Sequence, residues 1–107
     1  MAQDFSAQSH FPITASASGA NTVITGQTGY RIRVISYVIV GSGTVNAKWQ
    51  SGSTDLSGLL YLGQSTGVAA PEVDKGHFET NSGESLNLNL SAATAVGGHI
   101  TVSVFPG

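Results

Sequence analysis

Three histidines and a handful of carboxylates are the residues of this 107-residue chain that could do chemistry. His77 and Glu79 lie two positions apart in a predicted strand, so their side chains share a face, and Glu72 and Asp74 come just before them. Two ligands of a metal ion can use this spacing. Any pair of polar residues on a wet strand shows the same pattern. We therefore expect a solvated strand edge or a subunit contact here, and no metal site.

Other catalytic arrangements are poorly represented. Ser51-Gly52-Ser53 and Gly41-Ser42-Gly43 are turn sequences and do not form the Gly-x-Ser-x-Gly elbow of a nucleophilic serine. Glu79 and Glu84 bracket a predicted turn, but without aromatic neighbours that could hold a sugar between two carboxylates. Gly26-Gln27-Thr28-Gly29 lacks the lysine of a phosphate-binding loop. We expect no catalytic residue and no cofactor, and we predict that the protein is not an enzyme.

The composition is that of a weakly charged protein. Charged residues make up 9% of the chain, against about 25% in a typical soluble domain. Four basic and six acidic residues provide no positively charged surface for nucleic acid. The apolar tracts are far shorter than the roughly 20 residues that span a bilayer, and the N-terminus has no signal-peptide pattern. Because charge keeps soluble domains apart, this composition favours a protein whose surface is covered by copies of itself or by a partner.

The elements that must position these residues are short strands. Glycine recurs too often for long helices, and strict alternation of apolar and polar residues marks the clearest strands, which are Leu86–Leu90, Ile100–Val104 and Val45–Gln50. Weaker patterns raise the number to about eight. The pattern predicts an all-β protein, a single antiparallel β-sandwich of jelly-roll type. We expect residues 11–107 to form this domain and residues 1–10 to form an N-terminal arm.

The segment Tyr30–Val40 is different from these strands, because its second half is apolar at consecutive positions. The pattern predicts Val34, Val38 and Val40 on one face and Ile35, Tyr37 and Ile39 on the other. Strands that are apolar on both faces are normally covered on both. We expect a neighbouring subunit to cover the second face, and loops or the N-terminal segment are the alternative. Leu59–Leu62 is a shorter run of the same kind.

Four segments of the chain resemble a family of small phage and prophage proteins whose genes often accompany virion structural genes. They are YRIRVISY at residues 30–37, VNAKWQSGS at 45–53, FETNSGESLNLNLSA at 78–92 and VGGHIT at 96–101. The resemblance covers roughly residues 20–105. It implies a virion β-sandwich such as a capsid decoration (cement) protein, a head fibre or a tail appendage. Such proteins are commonly trimers at symmetry axes, made in the host cytoplasm and located on the virion.

Two functions follow as hypotheses. The first is a capsid decoration protein that self-associates as a homo-oligomer, binds the major capsid protein or another virion protein, and stabilises the shell. The second is a tail or head-fibre adhesin that binds a host receptor or glycan through an exposed aromatic residue or a polar pocket. A hydrolase fragment is a weaker third option. For the first hypothesis, the candidate interface residues are Phe5, Phe11, Ile35, Tyr37, Ile39, Leu60, Leu62 and His99, with Val38 and Val40 as further core or contact residues.

Overall fold

A computed structural model describes residues 8–73 and 75–107. This part of the chain contains ten strands and no helix, so it also contains no helix that could cross a membrane. The strands are β1 (Gln8–Ala15), β2 (Gly19–Ile24), β3 (Tyr30–Gly41), β4 (Val45–Ser51), β5 (Thr54–Asp55), β6 (Leu60–Leu62), β7 (Thr66–Ala70), β8 (Phe78–Glu79), β9 (Leu86–Leu90) and β10 (Val96–Pro106).

The strands form two antiparallel sheets that pack face to face. Sheet 1 has the order β1-β10-β3-β7, and β8 also pairs with β3. Sheet 2 has the order β2-β9-β4-β5, and β6 also pairs with β4. This alternation of the chain between two sheets is a jelly roll. The predicted all-β antiparallel sandwich is confirmed. The two strands beyond the expected number of about eight are β5, which has only two residues, and β7, whereas β8 lies within the strand predicted around His77 and Glu79.

The core lies between the sheets and is built by the alternating strands. Leu86, Leu88 and Leu90 are fully buried and point from β9 toward sheet 1, as their alternation with asparagine predicts. Trp49 is fully buried beside them on β4, and its ring meets Tyr37 of the opposite sheet edge to face, with centroids 5.2 Å apart. The Trp49 indole nitrogen has no hydrogen-bond partner among the described residues. The two sheets are thus joined by a central aromatic contact.

A β-bulge in β3 explains the apolar run of that strand. On β10, Thr101 pairs with Ser36 and Val102 pairs with Val34, so Ile35 is an extra residue in β3. An extra residue moves every later side chain to the opposite face. Val34 faces the core before the bulge, whereas Tyr37 and Ile39 face it afterwards. The prediction that Val34 shares a face with Val38 and Val40 is therefore wrong. Both alternating halves of β3 thus face the same core, Ile35 at the bulge is buried but is not part of that core cluster, and Val38 and Val40 point outward.

The first strand begins inside the segment expected to be an arm. Residues 8–10 are the first residues of β1 and pair with Ser103, Val102 and Thr101 of β10. Residues 1–7, which include the candidate Phe5, lie outside the described part of the chain. β1 is an edge strand, and Pro12 lies in its middle. A proline has no backbone N–H, so it is tolerated where the backbone faces away from the neighbouring strand.

Candidate interaction surface

The outer face of sheet 1 divides into an uncharged half and a charged half. In the uncharged half, the strand register places two rows of outward residues side by side. We call these two rows the apolar half: Pro12, His99, Val38 and Ala69 in the first row, and Thr14, Gly97, Val40 and Gly67 in the second. Val40 is the most exposed valine in these rows, at 40%. Apart from His99, this half is therefore a largely apolar surface of low relief, because its side chains are short.

Two glycines mark places at this end of sheet 1 where neighbouring strands approach β3 closely. A Cβ atom on Gly67 would overlap the carbonyl oxygen of Ile39 on β3. A Cβ atom on Gly98 would overlap the carbonyl oxygen of Val38, and Gly98 also has a φ of 148°, which other residues rarely adopt. Neither position therefore tolerates a side chain without moving β3. The two glycines allow β7 and β10 to flank β3 closely at this end of the sheet.

A shallow concavity of about 420 Å³ lies at the rim of the apolar half. Val40, Gly97 and Thr14 line it together with residues of the neighbouring loops. Strands β1, β7 and β10 contain no Asp, Glu, Lys or Arg, and neither do residues 34–41 of β3. A partner that covers this half would remove apolar groups from water without stripping water from a charge, which is the favourable case for association.

The charged half of the same face contains Arg31, Arg33 and Glu79, and ion pairs hold these three side chains together. The Glu79 carboxylate accepts hydrogen bonds from Arg31 at 3.1 Å and from Arg33 at 3.2 Å. The Arg33 guanidinium also lies over the Phe105 ring, 4.4 Å from its centroid. His77 bonds instead through Nε2 to the carbonyl oxygen of Pro71, at 2.8 Å. The two residues that could have bound a metal therefore have separate partners, and no group of three metal-binding side chains occurs in the described residues.

Glu84 also has separate partners, so it does not form a carboxylate pair with Glu79. Its Oε1 accepts hydrogen bonds from the Ser51 hydroxyl at 2.5 Å and from the Asn81 side chain at 3.1 Å. The Ser51 oxygen in turn accepts the backbone N–H of Asn81, at 2.9 Å. The Ser51 hydrogen bond, followed by that of Asn81, lowers the pKa of Glu84. This cluster ties the turn before β9 to the end of β4, which is a structural role.

The candidate interface residues fall into three groups in the structure. Ile35, Tyr37, Ile39 and Leu62 are buried inside the domain, and burial raises the pKa of the Tyr37 hydroxyl. Phe11 and Leu60 are half-buried against the core. His99 is exposed in the apolar half, next to Val38. Gly67, Ala69 and Gly97 complete this surface, although the sequence pattern gave no reason to select them, because lateral neighbours on a face depend on strand order.

The outer face of sheet 2 is polar and carries a network of amide side chains. Asn89 donates to Gln50 at 3.3 Å, and Gln50 donates to Asp55 at 2.8 Å. Lys48 forms an ion pair with the same carboxylate at 3.2 Å. The hydrogen bonds from Gln50 and Lys48 lower the pKa of Asp55. Asn87, which is nine-tenths buried in this face, has a side-chain oxygen without a partner in the described residues.

Tyr61 stands at one end of this polar face and is the most exposed large apolar residue of the described chain, at 74%. It lies directly opposite Asn46 on β4. Leu59, two residues earlier, is also exposed, at 47%. An exposed aromatic ring beside amide groups is an arrangement that can stack on a sugar ring while the amides bond its hydroxyls.

Comparisons with known proteins show what the fold is similar to. No protein-family model matches the sequence, and no curated protein matches it either. The fold is similar to a solved structure of Bacillus endospore appendages, which are described as a novel family of disulfide-linked pili. The TM-score is 0.54 with 14% sequence identity, over 94% of this chain and 87% of that chain. At this identity the similarity concerns the fold alone.

Proposed function

We propose that this protein is a non-enzymatic structural subunit of a multi-copy particle, and specifically a capsid decoration protein of a phage virion. In this proposal it self-associates as a homo-oligomer and binds the shell through the major capsid protein or another virion protein. The observation that carries the proposal is the apolar half of sheet 1, a flat uncharged face on a protein with few charges elsewhere. The resemblance of four sequence segments to phage and prophage proteins supports the virion location.

The apolar half suits a second copy of the same chain as its partner. Apart from His99, its outward residues are small, so two such faces can approach to the roughly 10 Å that separates packed sheets. Contact between identical patches is a two-fold contact that generates a closed dimer, whereas the trimer implied by the resemblance would need a contact between two different patches. The similar fold of a subunit from disulfide-linked pili supports self-association in general terms. This chain contains no cysteine, so its copies associate without disulfide bonds.

The proposed mechanism is mechanical. Each bound oligomer contacts neighbouring capsomers, and any protein that binds the assembled shell more tightly than the separated capsomers stabilises the shell by mass action. The amide network lies on the outer face of sheet 2, away from the contact between copies, and the ion pairs of the charged half lie beside that contact on the same face of sheet 1. No step of this mechanism requires a cofactor or a reactive side chain.

Substituting Val40→Asp tests the self-association. A carboxylate in the centre of the apolar half would be buried without a partner in the oligomer, so we expect a monomer in sedimentation velocity experiments while the wild-type protein sediments as an oligomer. Ser103→Asp is the matched control, because Ser103 lies on the same face in the row of Arg33, where an added carboxylate is favourable. A wild-type protein that stays monomeric at high concentration would refute the proposal.

The virion location requires a separate experiment. Particles released by cells that encode the protein are purified, and the protein is located on them by immunogold electron microscopy. We expect labelling of the head at regular positions. Labelling of the tail would support the second candidate function, a receptor- or glycan-binding adhesin, which the exposure of Tyr61 beside Asn46 favours. Particles without label would contradict both.

A further inference from the structure

His99 is the one titratable residue in the two rows of the apolar half. The other residues of these rows are proline, valine, alanine, threonine and glycine. His99 is exposed in the first row, with Pro12 of β1 on one side and Val38 of β3 on the other. Neither of these neighbours has a polar side chain. The imidazole is therefore a group that can gain a charge in the middle of an otherwise uncharged surface.

His10 is the nearest titratable neighbour of His99 in the strand register. It lies directly opposite Thr101 of β10, and its Nδ1 atom is 2.7 Å from the Thr101 hydroxyl oxygen. This pair forms the row next to that of Pro12 and His99, so the two histidines are diagonal neighbours, at about 7–8 Å in a regular sheet. His10 thus lies at the border of the apolar half and has a polar partner there, whereas His99 lies inside it.

The charged residues of sheet 1 are too far along the strands to balance a positive charge at His99. In the register, the first charged row lies two rows away, where Arg33 is beside Ser103 and Glu79. The carboxylate of Glu79 is already shared by Arg33 and Arg31. A protonated His99 would therefore be a cation without a counter-ion on this face.

The loop between β7 and β8 carries further titratable groups, but β3 separates it from β10. This loop follows the β7 side of β3, where the Val73 N–H donates to the carbonyl oxygen of Ile35 at 3.1 Å. Glu72 and Lys75 belong to this loop, and so does His77, whose ring bonds to a backbone carbonyl oxygen of the same loop. In the described chain, no charged group of this loop lies in the rows of the apolar half.

We propose that protonation of His99 separates the copies of this protein, so that the oligomer forms at neutral pH and dissociates in mildly acidic solution. This inference rests on the proposed self-association through the apolar half and adds a means of regulating it. Histidine changes its charge between about pH 5 and 8. A neutral imidazole can enter the contact between copies, whereas an imidazolium would leave water without gaining a partner of opposite charge.

The sign of the pH dependence follows from the form of histidine that each state accepts. In a separated copy the imidazole is in water and accepts either form, whereas the contact favours the neutral form. Proton uptake therefore favours the separated copies. A two-fold contact contains His99 from both copies. For a side chain that titrates near pH 6.5, as histidine ordinarily does, each copy contributes about tenfold between about pH 7.5 and 5.5, so the dissociation constant should rise by about 100-fold.

Sedimentation equilibrium over a dilution series measures the dissociation constant at each pH. We expect the wild-type constant to rise by about 100-fold on going from about pH 7.5 to 5.5. His99→Gln keeps a polar side chain that stays neutral, so its constant should change little over this range. His99→Lys carries a strongly hydrated charge throughout and should associate weakly at every pH. His77→Gln is the matched control and should keep the wild-type pH dependence, because His77 lies outside the apolar half.

The fold is monitored in the same samples through the fluorescence of the buried Trp49. The range of the experiment lies above the pH at which carboxylates ordinarily take up protons, so we expect this signal to stay constant. His10→Gln should keep most of the pH dependence, since His10 lies only at the border of the contact.

The remaining outcomes separate the failure of this inference from the failure of the proposed function. A wild-type oligomer whose dissociation constant does not change with pH would overturn the role of His99 and leave the self-association standing. The same holds if His99→Gln keeps the wild-type pH dependence, or if only His10→Gln or His77→Gln removes it. A wild-type protein that stays monomeric at every pH and at high concentration would refute both.

Discussion

Asparagine substitutions at Ile39 and Val40 should have very different effects, although the two residues are adjacent in the sequence. Ile39 is fully buried, and its neighbours across the sheet are Gly98 and Val68, neither of which has a polar side chain. Val40 points away from the core and is 40% exposed. The difference arises from the bulge at Ile35, which determines the face that each later residue of β3 occupies.

The size of the effect follows from burial. Ile39→Asn loses about 1.5–3 kcal/mol of side-chain transfer free energy. It also leaves an amide without hydrogen-bond partners, which costs about 1–3 kcal/mol more. The sum, roughly 2.5–6 kcal/mol, is a large fraction of the roughly 5–15 kcal/mol that stabilise a domain of this size. Val40→Asn changes a surface position, where substitutions usually stay within about 0.5 kcal/mol.

Urea unfolding measures this difference directly. The single tryptophan, Trp49, is fully buried, so its fluorescence reports loss of the core. We expect the unfolding midpoint of Ile39→Asn to fall by more than about 1 M, and that of Val40→Asn to stay near the wild-type value. Measurements at several protein concentrations separate folding from association. Equal losses in the two variants, or a larger loss at Val40, would refute the assignment of faces and with it the apolar half.

Two further outcomes are expected from other parts of the surface. Glu84→Gln should reduce the acid sensitivity of the protein, because hydrogen bonds from Ser51 and Asn81 hold the pKa of Glu84 below its ordinary value. The stabilisation that Glu84 contributes is therefore present above that ordinary pKa and is lost as the pH falls through the lower pKa of the folded state. Urea midpoints measured from neutral to acidic pH check this, and parallel curves for the two proteins would contradict it. Tyr61→Ala should abolish any binding to a polysaccharide array, whereas Leu59→Ala should retain it; binding that survives the loss of the ring would exclude a Tyr61 glycan site.

The strands with one solvent-exposed face were predictable from the sequence. In Leu86–Leu90 the leucines fill the core and the asparagines carry the polar outer face, so alternation alone reveals the strand. The strands β5 and β7 were not predicted, because the two residues of β5 and the small side chains of β7 show no clear alternation, and the pairing of both follows from the neighbouring strands.

The apolar half was only partly predictable. The apolar run of β3 was visible, but its two faces were assigned as if the strand were regular. The signal of the bulge is the adjacent pair Val34 and Ile35, where one alternating series ends and another of opposite parity begins. The sequence of a single strand also does not show which residues flank it. That Gly67 and Gly97 flank Val40 on this surface is therefore evident only from the strand order of the jelly roll.

Pro12 has a consequence for how copies of this protein can grow into larger structures. A strand that paired with the outer edge of β1 would need a regular series of backbone hydrogen-bond donors and acceptors, and Pro12 supplies no donor. The addition of one strand after another by backbone hydrogen bonds, as in an amyloid fibre, is interrupted at that point. The proposed contact through the apolar half would have no such open end, since two faces that meet leave neither available to a third copy. A subunit built in this way can be stored at high concentration with a lower risk of forming fibres.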